Sequence, residues 1–356
     1  MSMRKIFIIG YELGGFGGME TVCKKFVEIL TKYDNSINIE FIFFKEGNKN
    51  VNDDWLDGMK FRRVPSEISH TKIRRVHYAL QFAKIIIKEQ PDIVISFDTV
   101  CCYIADLSRK FSFKKFKIYS WIHFPIHNLY KSIYLLKADY HLSIGAGVTA
   151  QLIDIGVDEK KIFTIYNPVD KTNDLISRGN DTRLLYIGRI LADEPKNIRE
   201  LLVALSKIRG TWKLDIIGDG QDVDILKELS VKLNINDNII WHGWQSNAWE
   251  YIKKNINSVT ALVLTSTYEG FPMVLCEALS HGVFCISSNC QTGPADIIRH
   301  GINGILYPVN DTDSLVNSLQ KIVNREPLPN VENIKKSINL LYADKYLSRV
   351  LIALAI

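Results

Sequence analysis

The stretch RLLYIGRILADEPKNIRELLVALSKIRGTWKLDIIG (183–218) decides how its half of the chain is built. An apolar run, RLLYIG, ends at Gly188. A segment with helical periodicity follows from Asn197 to Ile208, and a second apolar run, KLDIIG, ends at Gly218. Strand, helix, strand in this order predicts two parallel strands joined by a crossover helix. Working outward, NIIWHG (238–243), TALVLT (260–265) and FCISS (284–288) continue the rhythm, with helices between them.

The same rhythm fills the first half. RKIFII (4–9), IEFIFF (39–44), DIVISF (92–97), KIYSWIHF (117–124) and YHLSI (140–144) read as strands. Glu20 to Leu30 reads as a helix. So does Ile73 to Lys88, with Val76, Leu80, Ala83 and Ile87 on one stripe. The pattern restarts after Asn167-Pro168, and the polar, broken stretch 167–181 connects the two halves. We therefore expect an α/β protein of two parallel-sheet domains, residues 1–166 and 167–334. The tail, about 335–356, either ends the second domain or packs back onto the first. Open sheets of this kind bind ligands beyond the carboxyl ends of their strands, so a ligand is expected in a cleft between the domains.

Composition narrows the class. Of 356 residues, 47% are apolar and 23% charged, as in a globular enzyme. The run Ile6 to Ile9 is too short for a secretory core, and no window reaches the roughly 20 apolar residues of a membrane span. Six cysteines occur without a C-x-x-C pair, which predicts reduced thiols and a cytoplasmic protein. The net charge of +5 is uneven: residues 1–166 carry 24 Lys and Arg against 18 Asp and Glu. Lys60, Arg62, Arg63, Lys72, Arg74 and Arg75 form one cluster; Arg109, Lys110, Lys114, Lys115 and Lys117 form another. These read either as solvated surface or as attraction for an anionic partner such as membrane phosphates. No DNA- or RNA-binding signature accompanies them, so nucleic acid is not expected.

The candidate site residues lie at strand ends. Gly14, Gly15, Gly17 and Gly18 follow the first strand and precede a helix. They suit close approach of a ligand, sugar or phosphate, to backbone, although their spacing matches neither the dinucleotide nor the phosphate-loop motif; the alternative is a turn with no ligand. Arg189 follows a strand, and Lys196 stands at the next helix start, where a cation opposes the helix dipole and an anionic ligand would resolve the conflict. In EGFPMVLCEAL (269–279), Glu269 lies in the turn after a strand and Glu277 about one turn into the helix. Both carboxylates reach the same region, and a carboxylate suits adjacent hydroxyls. The alternative is a helix-dipole role for Glu277 and a solvated turn for Glu269. His123 closes the strand KIYSWIH, as a packed polar tip or as a group for chemistry. The D-x-D triplets 222–224 and 311–313 fall at predicted helix starts and read as caps rather than metal ligands.

Glu269 and Glu277 (E-x7-E), Gly188, Arg189, Lys196 and Asn197 (G-R…K-N), Gly17 to Glu20 (G-G-x-E) and His123 together resemble family-four retaining glycosyltransferases of the GT-B fold, over essentially the whole chain. More narrowly, the chain resembles galactosyltransferases of lipopolysaccharide outer-core assembly. The resemblance implies two Rossmann-like domains, UDP-galactose as donor and a glucose of the lipopolysaccharide core as acceptor. It implies no metal or other cofactor, and a place on the anionic inner face of the plasma membrane. By the same resemblance, Arg189 and Lys196 hold the diphosphate and Glu277 the ribose. Glu269 and the backbone of Phe271, Pro272, Met273 and Val274 hold the transferred sugar. His123 touches that sugar, Gly17 and Gly18 lie near phosphate and acceptor, and Gly243, Trp244 and Gln245 flank the uracil. A UDP-sugar epimerase on the same fold, or another UDP-hexose as donor, remains open. A nicotinamide dehydrogenase lacks its fingerprint here, and a non-catalytic binder would not need all four of Arg189, Lys196, Glu269 and Glu277.

Overall fold

Apolar runs punctuated by glycine become strands buried on both faces. In the computed structural model, which describes residues 4–14, 17–46 and 52–356, Ile6, Phe7, Ile8 and Ile9 have no exposed surface. That is what a parallel sheet covered by helices on both sides demands. The chain divides into two units. One runs to Pro168 and is joined by Tyr346–Ile356; the other is Val169–Lys345.

The first unit contains β1 (Arg4–Tyr11), α1 (Gly18–Tyr33), β2 (Ile37–Glu46), β3 (Lys60–Ser66), α2 (Thr71–Glu89), β4 (Ile93–Ser96), α3 (Thr99–Ser112), β5 (Lys117–Ile122), β6 (Tyr140–Ser143), α4 (Ala146–Asp154) and β7 (Ile162–Thr164). Among the described residues its strands form one parallel sheet in the order β3-β2-β1-β4-β5-β6-β7. The second unit contains β8 (Arg183–Ile187), α5 (Ile198–Lys207), β9 (Lys213–Ile217), α6 (Val223–Lys232), β10 (Ile239–Gly243), α7 (Ala248–Tyr251), β11 (Ala261–Leu264), α8 (Met273–Ser280), β12 (Phe284–Ser288), α9 (Pro294–Ile297), β13 (Gly304–Tyr307), α10 (Thr312–Val323) and α11 (Val331–Ser337). Its parallel order is β10-β9-β8-β11-β12-β13. The last helix, α12 (Ala343–Leu354), delivers the chain end to the first unit. There Tyr119 Oη donates to the Ala353 carbonyl at 3.0 Å, and Arg349 Nε to that of Ile165 at 3.0 Å.

Each sheet changes winding direction once, between β1 and β4 and between β8 and β11. The loops leaving the two strands at such a point diverge and open a crevice, which is where ligands of open sheets bind.

Three expectations from sequence need correction. The stripe Val76, Leu80, Ala83 and Ile87 is not the core face of α2. The helix buries Tyr78, Ala79, Phe82, Ala83 and Ile86 and leaves Val76, Leu80 and Ile87 exposed. Two apolar stripes compete on this helix, and the aromatic one wins because Phe7 and Phe44 lie against Phe82, and Phe44 against Tyr78. The basic clusters are also less free than their density implied. Arg62 pairs with Glu40 and Glu89, Arg63 with Glu12 and Asp53, and Arg74 with Glu46. Arg109 meets Asp139 and Lys110 meets Asp106. Finally, β3, β7 and β13 had no counterpart in the sequence reading.

All six cysteines are free and buried. Burial pushes the Cys102 and Cys290 thiols up to about 12 and drives Cys23, Cys101 and Cys276 well above the usual range. Among the described residues no helix is long and apolar enough to cross a membrane.

Candidate active site

In the second unit the winding change places the loop after β8 beside the loop after β11. The first carries Gly188, Arg189 and Lys196; the second carries Ser266 and Glu269. Tyr186, buried in β8, donates its hydroxyl to the Arg189 carbonyl at 2.9 Å and fixes the start of that loop. Burial, then the Glu269 carboxylate, pushes this phenol's pKa up. The Arg189 side chain is exposed and has no ion-pair partner among the described residues.

Lys196 Nζ stands 2.6 Å from Glu269 Oε1, and Ser266 Oγ donates to the same oxygen at 2.7 Å. The lysine's place before a helix start is therefore answered, in part, by a carboxylate of the protein itself, a partner that the sequence reading did not name. Asn197, in the left-handed region at φ 50°, turns the chain into α5. Thr265 Oγ1 donates to the Lys196 carbonyl at 2.9 Å, locking the two loops together. Thr292 Oγ1 donates to the Glu269 carbonyl. The turn after Glu269 packs under Gly293, which sits at φ +91°. A Cβ there would lie 2.5 Å from Pro272 Cδ and 2.9 Å from the Gly270 carbonyl oxygen.

Phe271 and Pro272 are buried, and Met273 and Val274 half-buried, at the start of α8. The first N–H groups of a helix lack intrahelical acceptors, so this turn offers donors near the Glu269 carboxylate. Glu277 lies further along α8 and accepts from Trp249 Nε1 at 3.0 Å. Trp249 in turn stacks on His281 with 4.6 Å between ring centroids.

Two strands further out, Gly243 ends β10 at φ +67°. Trp244 is exposed, and Gln245 Nε2 donates to the His242 carbonyl at 2.9 Å. Beneath them Asp215, fully buried, accepts from Arg183 Nε at 2.5 Å and from Nη2 at 2.9 Å, and meets His242 Nε2 at 2.7 Å. Backbone bonds link the strand-end loops: Gly188 N–H to the Ile217 carbonyl, and Gly218 N–H to that of Gly243. A Cβ on Gly218 would stand 1.9 Å from the Gly188 oxygen, and one on Gly220 would stand 2.0 Å from that of Ile190.

Sequence reading missed Gly218, Gly220, Ser266, Trp249 and Thr292. The G-x-G after β9 was the available signal. The others are single polar residues whose partners are distant in sequence. Of the D-x-D residues, Asp311 caps α10 through the Ser314 N–H at 2.9 Å, and Asp222 accepts from the Ala192 N–H at 2.9 Å.

The remaining predicted residues belong to the first unit. His123 follows β5, packs on Trp121 with 4.6 Å between ring centroids, and is buried. Its Nε2 lacks a hydrogen-bond partner among the described residues, and burial pushes its pKa down to about 3. Gly17 precedes α1, and Glu20 folds back over it, with Oε2 2.7 Å from where a Cβ would stand. Gly18 opens α1. Gly15 lies outside the described residues.

Residues 170–339 match the glycosyl transferases group 1 family. The chain is 39% identical over 350 residues to the lipopolysaccharide 1,6-galactosyltransferase of Escherichia coli K12, covering 97% of this chain and 96% of that protein. It is 37% identical to the protein of the same description from Salmonella typhimurium, over 90% of each. The apo structure of the lipopolysaccharide outer core galactosyltransferase WaaB superposes with a TM-score of 0.94, at 35% identity over 99% of both chains. Anabaena Alr3699/HepE in complex with UDP, at 14% identity, TM-score 0.79 and coverage of 99% and 100%, shares the fold. The chain therefore belongs to the group 1 glycosyltransferases of the GT-B fold and is a hexosyltransferase.

Proposed function

We propose that this enzyme transfers galactose from UDP-galactose to a glucose of the lipopolysaccharide core, with retention at the anomeric carbon and without a metal. The observation that carries the reading is the Lys196–Glu269 pair at 2.6 Å beside Arg189, which has no ion-pair partner among the described residues, at the winding change of a parallel sheet. Full-length relatives bearing the galactosyltransferase description support it. An ammonium has three N–H donors. With one on Glu269, Lys196 keeps two for a diphosphate, and Arg189 adds a planar fork suited to phosphate.

The acceptor hydroxyl attacks the anomeric carbon from the face UDP leaves. The bond from that carbon to the acceptor oxygen forms as the bond to the β-phosphate oxygen breaks. The departing phosphate takes the acceptor proton, while Arg189 and Lys196 offset the charge that develops. Glu269 and the backbone around the start of α8, from Phe271 to Val274, hold the sugar hydroxyls, with Met273 and Val274 supplying first-turn N–H groups and Pro272 none. Glu277, set by Trp249, holds the ribose diol. Gly243, Trp244 and Gln245 flank the uracil. His123, neutral at physiological pH, contributes a hydrogen bond to the donor sugar rather than a charge, and Gly17 and Gly18 lie near phosphate and acceptor. On this reading the enzyme works peripherally on the anionic cytoplasmic face of the inner membrane, where such an acceptor would be met.

The test is transfer from UDP-galactose, UDP-glucose and UDP-N-acetylglucosamine, each with and without truncated lipopolysaccharide. Acceptor-dependent transfer from UDP-galactose, with an α-anomeric proton in the product's NMR spectrum, is the expected result. Interconversion of UDP-galactose and UDP-glucose without acceptor would replace it with an epimerase.

A further inference from the structure

Among the described residues nothing covers the second apolar stripe of α2. Ile73, Val76, Leu80 and Ile87 are 57%, 39%, 46% and 48% exposed. Their spacing of three, four and seven residues lines them along one outward face. Single exposed apolar residues are ordinary, but a continuous stripe marks an interaction surface. Lys72, Lys84 and Lys88 flank it, exposed and without ion-pair partners among the described residues. The helix contains one acidic residue, Glu89, and that one is tied to Lys5 and Arg62. The surface continues onto residues 130–136. Arg75 lies over the Tyr130 ring at 5.3 Å, and Tyr130, Ile133 and Leu136 are exposed beside Lys131. Residues 124–138 contain no carboxylate side chain.

We propose that this face of α2 seats the enzyme on an anionic phospholipid bilayer. The aliphatic stripe enters the headgroup boundary, and Lys72, Lys84 and Lys88 meet the phosphates. This rests on the peripheral membrane association proposed above and assigns it to one helix. A second copy of the chain fits less well, because two such faces would oppose Lys72, Lys84 and Lys88 to the same lysines of the other copy. The stripe also gives the association an apolar component that salt does not screen, since the Debye length falls to about 3 Å at 1 M.

The test is flotation of the full chain with phosphatidylethanolamine/phosphatidylglycerol vesicles. The wild-type chain is expected to bind these and not phosphatidylcholine vesicles. Combined Ile73→Ser, Leu80→Ser and Ile87→Ser is expected to weaken partitioning at least tenfold and to abolish what survives high salt. Combined Lys72→Glu, Lys84→Glu and Lys88→Glu is expected to abolish binding at low salt. Lys213→Glu, Lys232→Glu and Lys321→Glu, the same charge change on the exposed surface of the second unit, is expected to leave it within twofold. All these side chains are exposed, so Tm and transfer to detergent-solubilised acceptor should not change. If the wild-type chain ignores anionic vesicles, membrane association fails as a whole. If it binds and both α2 variants bind equally well, association stands and this assignment is overturned. A dimer that the serine variant dissolves would also overturn it, in favour of a second copy.

Discussion

Lys196 is the residue on which donor binding and charge balance meet. A charge pair at about 4 Å is worth roughly 4 kcal/mol at an effective dielectric near 20. If half survives desolvation, Lys196→Ala lowers kcat/KM about thirtyfold. Arg189→Ala, which breaks no ion pair among the described residues, is expected to do the same, and steady-state kinetics on UDP-galactose checks both. Glu277 differs in kind, because ribose contacts change little between ground and transition state. Glu277→Ala should raise KM with kcat held within about twofold. Trp249→Phe, which removes one hydrogen bond at 3.0 Å, should raise KM by roughly two- to tenfold. An equal fall in kcat at unchanged KM in either variant would break the assignment. Arg189, Lys196, Glu269 and Glu277 stood out as candidates because each is a charge in, or one turn beyond, a loop that leaves a strand. Ser266, Thr292 and Trp249 were not, since each acts through a partner distant in sequence.

At the scale of elements, every interior strand was revealed by sequence, and of the four edge strands only β10 was. β1, β2, β4, β8, β9 and β11 are buried on both faces and therefore nearly continuous in apolar residues. The strands it missed, β3, β7 and β13, are edges of the two sheets. KFRRVPS carries three cations and a proline that only an edge accepts, IFT has three residues, and GILY four. The inner face of α2 was misassigned because periodicity finds stripes but does not rank two of them. The stacked strand-end loops of the second unit make a separate forecast. Gly218→Ala places a Cβ against the Gly188 oxygen at φ +143° and should destabilise the chain by about 3 kcal/mol. Gly58, at φ +76° with open space around it, should lose only about 1 kcal/mol on the same change. Urea midpoints of the two variants separate crowding from backbone strain; equal losses would mean that the loops do not abut.

For the whole molecule, the two-unit plan was readable from the restart of the strand–helix rhythm. The destination of α12 was not, because an amphipathic helix at a chain end carries no mark of which sheet it covers. The first unit also holds two buried imidazoles, His123 and His141, pushed down to about 3 and about 4 chiefly by burial. Both stay neutral in the folded chain below the ordinary histidine value near 6.5, while the unfolded chain takes up protons. Stability is therefore full above about pH 6.5 and is lost as pH falls toward about 4, by roughly 1.4 kcal/mol per pH unit for each imidazole. His141→Asn should lower that slope by roughly 1.4 kcal/mol per pH unit, measured from urea midpoints between about pH 7 and pH 5; a slope identical to wild type would refute the assignment.

The six shielded thiols have a practical corollary. To a maleimide reagent the native chain is as good as cysteine-free. One cysteine introduced on each unit would take a fluorophore while the native six stay unmodified, and the resulting donor–acceptor pair would report inter-unit distance, molecule by molecule, during turnover.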